Sequence, residues 1–158
     1  MTKSTWNGEI RSKDGEPTSS YDSAAFGGPV EISFNDSEIS EELKAYVRFI
    51  VEQEPVWFEM AMQVIVDVYA ENYQSLYEAN DLSLSEEQLD ELRPREPSAA
   101  NMKPYVSAGT LTIAPETDIG GLGFYMTFDV TWDPEHGAPI DFYKWGPGKP
   151  PGTAVYGL

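Results

Sequence analysis

The spacing of apolar residues changes partway along this 158-residue chain, and that change constrains the fold more than any other feature. Between Ser40 and Tyr77 apolar side chains recur every three or four residues, which is typical of helices with one buried face. After Tyr105 they recur every second residue, which is typical of strands with one face in water. The change predicts an α+β domain, with an antiparallel sheet and two to three helices packed on one of its faces. The predicted strands are residues 28–34, 105–113, 124–132 and 140–145.

Two helices and a shorter third helix are expected in the middle of the chain. Pro55 must end or kink the first helix, because proline lacks the amide hydrogen that a helix interior requires. The second helix, residues 56–77, carries apolar residues on two adjoining stripes, so we expect it to be the central helix of the core. A capping box at residues 85–88 predicts the start of the third, and the proline-rich run 93–104 should be a connection. The candidate N-caps of the first helix are Asp36, Ser37 and Ser40.

The length of the chain suits one domain spanning residues 1–158. Its first 28 residues are rich in Gly, Ser, Asp and Pro, and they predict a loosely structured arm at 1–28 with one strand near residues 5–11. Residues 146–158 form a Gly/Pro-rich tail that should lie over the surface.

Acidic residues dominate the charge of the chain, with 27 Asp and Glu against 10 Lys and Arg, a net charge of −17. Between Asp36 and Glu91 there are fifteen acidic residues, and the basic ones are Lys44 and Arg48. Such a field repels nucleic acid and anionic membranes and speeds association with basic proteins. Two interpretations are open: a solvated surface that keeps the protein soluble, or a docking face for a cationic partner. The candidate docking residues are Glu52, Glu54, Glu59, Asp67, Glu71 and Glu78.

Several classes of site and location are disfavoured by composition. The chain contains no cysteine, so disulfides, thiolate metal sites and a cysteine nucleophile are excluded. No stretch approaches the roughly 20 apolar residues of a membrane helix, and the N-terminus lacks the apolar run of a signal peptide. We therefore expect a cytoplasmic protein that has no cofactor and binds neither nucleic acid nor membrane.

The stretch Val130–Phe142 contains the only histidine, His136, next to acidic residues. Asp133 and Pro134 suit the first two positions of a type I turn, and Gly137 can supply a left-handed residue that closes a four-residue hairpin loop. We interpret this motif as a structural hairpin and a candidate interface, with no bound metal. Its residues in this interpretation are Trp132, Asp133, Glu135, His136 and Gly137.

The same motif also admits a chemical interpretation, in which Asp133, Glu135 and His136 form a metal or acid–base site. With one histidine and no cysteine, further metal ligands would have to be carboxylates. Sequence patterns of the kind G-x-S-x-G or H-E-x-x-H, which would mark a hydrolase or a metalloprotease, do not occur. We therefore favour the structural interpretation and predict that the protein is not an enzyme.

Five stretches of the chain resemble a family of uncharacterised bacterial domains. They are Trp6-Asn7-Gly8, Val30-Glu31-Ile32, the helical "VYAENY", residues 101–113 and the motif Trp132-Asp133-Pro134-Glu135-His136-Gly137. The family motif reads Trp-Asp-x-Glu-His-Gly and usually continues with an apolar residue, glycine and valine. This chain continues instead with Ala138-Pro139-Ile140, and Pro139 suits an edge strand or a bulge. Members are similar to small acidic immunity proteins encoded beside bacterial polymorphic and contact-dependent toxins.

Three functions are compatible with these observations. The first, implied by the resemblance and the charge, is an immunity protein that neutralises a basic, nuclease-like toxin domain by direct protein–protein contact. The second is a small metal-dependent enzyme that uses Asp133, Glu135 and His136. The third is a structural or regulatory domain without a toxin partner, and the oligomeric state is open in all three.

Overall fold

The computed structural model describes residues 3–35, 38–114 and 123–157, and within these residues seven strands form a single sheet. The strands are β1 (Arg11–Lys13), β2 (Glu16–Ser23), β3 (Gly28–Phe34), β4 (Val106–Ile113), β5 (Gly123–Val130), β6 (Ala138–Tyr143) and β7 (Thr153–Tyr156). They lie in the sheet in the order in which they occur in the chain. Neighbouring strands are antiparallel except β3 and β4, which are parallel. A parallel pair needs a long crossover connection, and here the helical segment supplies it.

The helices lie between β3 and β4, and the predicted α+β class is confirmed. They are α1 (Glu41–Glu52), α2 (Glu54–Asn72), α3 (Gln74–Ala79), α4 (Glu86–Leu92), α5 (Ala99–Met102) and a 3-10 helix at Lys103–Tyr105. The described residues thus contain more helices than the two to three expected. The predicted helix 56–77 is divided at Tyr73, and the connection 93–104 contains α5. None of these helices has the length and hydropathy that crossing a bilayer requires.

Local signals in the sequence place the helices correctly. The hydroxyl oxygen of Ser40 accepts a hydrogen bond from the Leu43 amide and caps α1, while Asp36 and Ser37 lie outside the described residues. Ser85 and Gln88 form the predicted capping box of α4. The predicted stripe of α1 is buried: Leu43, Tyr46, Val47, Ile50 and Val51.

Helix α2 is the centre of the core, as its two apolar stripes predict. The Trp57 side chain is fully buried, and its ring packs edge-on against Phe124 of β5 at 5.6 Å and Phe142 of β6 at 5.4 Å. Along β5, Phe124 and Phe128 are buried while Tyr125 is exposed, so alternate side chains face the helices and the solvent. One face of the sheet therefore packs on the helices, and the opposite face is in contact with water.

The prediction of a loosely structured arm at residues 1–28 is wrong, because this region contributes strands β1 and β2 to the sheet. The inward-facing residues of β2 are Ser19, Tyr21 and Ser23, and all three are buried. Their hydroxyls are satisfied by hydrogen bonds from distant parts of the chain; Ser19, for example, accepts a bond from the Trp6 indole at 2.8 Å. A strand that buries hydroxyls shows little hydrophobic alternation, which is why its sequence resembles a loop. The expected surface tail at 146–158 likewise contains β7, which pairs with β6.

Glu54, one of the predicted docking residues, is buried, with 1% of its surface exposed. It lies in the first turn of α2, where the helix dipole favours a negative charge. Its carboxylate accepts hydrogen bonds from the hydroxyls of Ser4, Tyr21 (2.7 Å) and Ser23 (2.8 Å) and from the Ala25 amide (3.0 Å). Burial and the adjacent carboxylate raise the pKa of Tyr21 well above its ordinary value, so the phenol stays a donor. Glu54 therefore joins α2 to the N-terminal strands and cannot belong to an exposed acidic face.

Replacing Glu54 by alanine should destabilise the fold by roughly 2–4 kcal/mol, because the buried hydroxyls would lose their acceptor. Glu54→Gln, which keeps the size and one acceptor oxygen, should cost less. Glu59→Ala, an exposed position on the same helix, should change stability by no more than about 0.5 kcal/mol. Urea denaturation of the three variants measures these differences, and equal effects of Glu54→Ala and Glu59→Ala would contradict the structural role of the buried carboxylate.

Candidate functional site

Four of the predicted docking carboxylates lie exposed on the two consecutive helices α2 and α3. We call this set, Glu59, Asp67, Glu71 and Glu78, the acidic surface. Steps of four residues connect Glu59, Gln63, Asp67 and Glu71, and residues four apart lie on the same side of a helix. Glu52 lies elsewhere, at the end of α1, where it lines a small groove together with Lys3 and Arg48.

The charge of the acidic surface is not compensated by neighbouring basic residues. Within residues 3–35, 38–114 and 123–157, none of its four carboxylates forms an ion pair. Asp67 and Glu78 instead accept hydrogen bonds from the side-chain amides of Gln63 (3.1 Å) and Gln74 (3.0 Å). Several basic side chains pair with other carboxylates; for example, Arg95 contacts Asp90 at 2.7 Å.

The motif Trp132–Gly137 lies in the connection between β5 and β6. The last pair of these strands is Phe128 with Ala138, so the connection is longer than the predicted four-residue loop. Asp133 organises it, because its carboxylate accepts from the His136 amide (3.2 Å) and its carbonyl accepts from the Gly137 amide (2.9 Å). Gly137 has a φ of +64°, the left-handed conformation that the sequence predicted.

Three tyrosines, one each from α2, the α2–α3 junction and α3, hold the motif against the helices. The Tyr73 hydroxyl donates to the Asp133 carboxylate at 2.6 Å, and the Tyr77 hydroxyl donates to the Trp132 carbonyl at 3.2 Å. The buried Tyr69 ring packs edge-on against the Trp132 indole at 5.0 Å. Sequence reasoning missed these contacts, although the spacing of four residues between Tyr69, Tyr73 and Tyr77 indicates a single helix face.

The electrostatics of the motif are set by an ionised Asp133. The hydrogen bond from Tyr73, followed by those from His136, holds the pKa of Asp133 below its ordinary value. The same bond to Asp133 raises the pKa of Tyr73, so its hydroxyl remains protonated. The His136 ring contacts the Asp133 carboxylate through Nδ1 at 2.9 Å, and this contact raises the pKa of the imidazole. The His136 side chain is 77% exposed and Asp133 is 16% exposed, so the histidine lies at the rim of the cluster.

A pocket of about 460 Å³ opens beside these tyrosines, and we call it the motif pocket. It is lined by Tyr73, Leu76, Tyr77, Asn80, Asp81, Leu82, Leu84, Trp132, Asp133 and His136. The structure therefore joins Trp132, Asp133 and His136 of the motif to residues of α3 and the loop that follows it. Glu135 is exposed and does not line the motif pocket, and the four carboxylates of the acidic surface do not line it either.

Asp133, Glu135 and His136 do not form a three-ligand cluster in the structure. Among the residues that the structure describes, no group of three or more His, Asp or Glu side chains is placed to hold a metal ion. Asp133 is instead occupied by donors from Tyr73 and His136.

Together, the fold and its surface define an acidic α+β domain in which one helical layer covers one face of a seven-stranded sheet. A family model described as a domain of unknown function, DUF6985, matches residues 6–145, and the chain belongs to this family. The matched residues contain the acidic surface, the motif and the tyrosines that hold it. No match is found among curated proteins, and none is found among solved structures.

Gly137→Ala should destabilise the protein, because a Cβ at this position would lie 2.6 Å from the Phe128 carbonyl oxygen as well as forcing a left-handed backbone on alanine. Gly148→Ala is the matched control, since Gly148 has a similar φ of +73° but open space around it. We expect roughly 1 kcal/mol for the control and a loss at least about 1 kcal/mol larger for Gly137→Ala. Equal losses in urea denaturation would show that the close approach to β5 is unimportant.

The pKa of His136 should lie above its ordinary value of about 6.5. Because the pKa of His136 is higher in the folded protein than in the unfolded one, protonation of its ring stabilises the fold. This contribution is fully present at pH values below about 6.5 and is lost as the pH rises through the raised pKa. His136 is the only histidine, so an NMR titration of its imidazole is free of overlap. Asp133→Asn should return the pKa toward the ordinary value, whereas Glu31→Gln, on the outer face of the sheet, should not. An unchanged pKa in Asp133→Asn would contradict the contact.

Proposed function

We propose that this protein binds a basic protein domain through its acidic surface, and that it acts as an immunity protein that neutralises a toxin domain by direct contact. The observation that carries the proposal is the set of four exposed carboxylates on α2 and α3, none of which is neutralised by an ion pair within the described residues. They belong to a chain with a net charge of −17, so the field of the whole protein has the same sign.

Electrostatic complementarity explains why a nuclease-like toxin domain is the expected partner. A nuclease holds the phosphates of its substrate in a groove lined by cationic groups. Carboxylates on the surface of another protein can occupy that groove, and a complementary field also increases the rate of association. An inhibitor that acts quickly at low concentration benefits from both effects.

The helix that carries most of the acidic surface is fixed in the core, and this makes its carboxylates suitable for such contacts. Helix α2 is fixed on its inner side by Trp57, which is fully buried, and at its first turn by Glu54, which is 1% exposed. The backbone that carries Glu59, Asp67 and Glu71 therefore belongs to a helix with seven buried residues. Groups on a fixed backbone lose less conformational freedom on binding than groups on a mobile loop. A cytoplasmic location, where such a toxin would act, is part of this proposal.

Reversing two charges of the acidic surface, Asp67→Lys together with Glu71→Lys, should weaken the complex with a cognate basic toxin domain by about tenfold or more, mainly through slower association. The affinity of the unmodified protein should also fall by roughly tenfold when the salt concentration rises from about 0.05 to about 0.5 M. Surface plasmon resonance measures both quantities, and growth during co-expression measures neutralisation.

The matched control is Glu31→Lys together with Asp129→Lys, which changes the net charge equally at exposed positions on the outer face of the sheet. It should leave the affinity within about threefold of the unmodified protein, since distant charges are largely screened. If the affinity of the complex changed neither with salt nor with Asp67→Lys and Glu71→Lys, the proposal would be wrong. An equal loss with both double variants would show that net charge acts without a specific surface.

A further inference from the structure

The two most exposed large apolar side chains of the described residues, Leu76 (65%) and Leu82 (82%), lie at the motif pocket. They form its walls together with the rings of Tyr73, Tyr77 and Trp132. Side chains of this type are normally covered in a folded protein, and a concave patch with a polar rim is typical of a binding site. The motif pocket thus offers apolar and aromatic surface to a ligand.

The rim of the motif pocket is negative. Asp81 and Asp133 both line it, and its one basic side chain is His136, which contacts Asp133; the lining contains neither lysine nor arginine. Asp81 is exposed and makes no hydrogen bond or ion pair with the residues that the structure describes. Asp133 accepts three hydrogen bonds from Tyr73 and His136, whereas a carboxylate offers about four acceptor sites. An anionic ligand would be repelled by these carboxylates, and a purely apolar one would offer no donor to Asp81 or to the remaining acceptor site of Asp133.

We propose that the motif pocket receives an arginine side chain of the basic partner, an inference that rests on the proposed function. Arginine combines the two properties that this lining requires. Its aliphatic stem can pack against Leu76 and Leu82, and its planar guanidinium can stack on the aromatic rings and bond to the Asp81 carboxylate. The acidic surface would then steer the partner, and the motif pocket would hold one of its side chains.

A small-molecule probe tests the motif pocket without the partner. Nα-acetyl-arginine amide is titrated into protein with labelled leucine methyl groups, and NMR follows Leu76, Leu82 and Leu84. Saturable shifts confined to these methyl groups are expected, and Nα-acetyl-citrulline amide, the neutral isostere, should bind about threefold to tenfold more weakly. Equal binding of the two amides, or no shift with arginine amide, would overturn the inference.

Two variants assign the contacts. Asp81→Asn should remove most of the preference for arginine over citrulline, while Leu82→Ala should weaken both amides. Val155→Ala, which truncates another exposed apolar side chain on β7, is the control and should leave both affinities unchanged. Free arginine carries its own carboxylate and should bind no better than the amide. Tenfold tighter binding of the free amino acid would indicate a metabolite site and overturn the assignment to a protein partner.

The experiment on the motif pocket and the experiment on the proposed function can fail independently. If the arginine amide fails to bind but the α2 charge reversal still weakens the complex, the pocket inference is wrong and the proposed function remains. If the charge reversal has no effect on the complex, the proposed function is wrong, and the inference of a partner arginine in the motif pocket is wrong with it. If both hold, Asp81→Asn should also weaken the complex itself by about threefold or more.

Discussion

Helix α2 is fixed at both ends by a hydrogen bond between a carboxylate and a hydroxyl, and the rest of the structure depends on this constraint. At its first turn, Glu54 accepts bonds from the N-terminal strands, including the Tyr21 hydroxyl at 2.7 Å. At its C-cap, Tyr73 donates to Asp133 at 2.6 Å and so attaches the β5–β6 connection. Between these points the buried Trp57 packs on β5 and β6. A polar bond at each end adds a specific, directional contact to the apolar packing of the helix.

This constraint divides α2 into an inner face that makes the core and an outer face that remains for binding. Because the inner residues are buried against the sheet, Glu59, Asp67 and Glu71 must point away from it. The division at Tyr73 has a second consequence, since the short helix α3 that follows it carries Leu76 and Tyr77, which line the motif pocket. The acidic surface and the motif pocket therefore follow from one helix and from the way it ends.

The features that could be predicted from the sequence are those that neighbouring residues determine. The stripe of α1, the capping box at Ser85 and the alternation of β5 depend on contacts within one element and on one buried face. The acidic surface was recognised for the same reason, because exposed carboxylates on a helix need no distant partner. Four of its predicted residues are exposed on α2 and α3, and the role assigned to them stays a prediction.

What could not be predicted depends on polar contacts between residues far apart in the chain. Glu54 precedes Pro55 in an acidic segment, and its sequence context resembles that of an exposed residue. It is buried because its carboxylate accepts hydrogen bonds from donors that lie 29 to 50 residues earlier in the chain. Strand β2 was not predicted, because the side chains on its inward face carry hydroxyls and do not show an apolar alternation. The contacts of Tyr73 and Tyr77 with the motif were not predicted, since the partners of their hydroxyls lie 60 and 55 residues further on. Hydropathy patterns carry no information about such partners.

The motif itself divides into residues that build the fold and residues that the fold leaves available. Trp132 is buried, Asp133 joins the turn to Tyr73, and Gly137 permits the close approach to Phe128, so these three are structural. The His136 side chain adds one contact to an Asp133 that already has a strong donor in Tyr73, and it is 77% exposed. The turn would therefore persist without the imidazole. A histidine that the turn does not require, placed at the rim of an aromatic pocket, is available for contact with a partner.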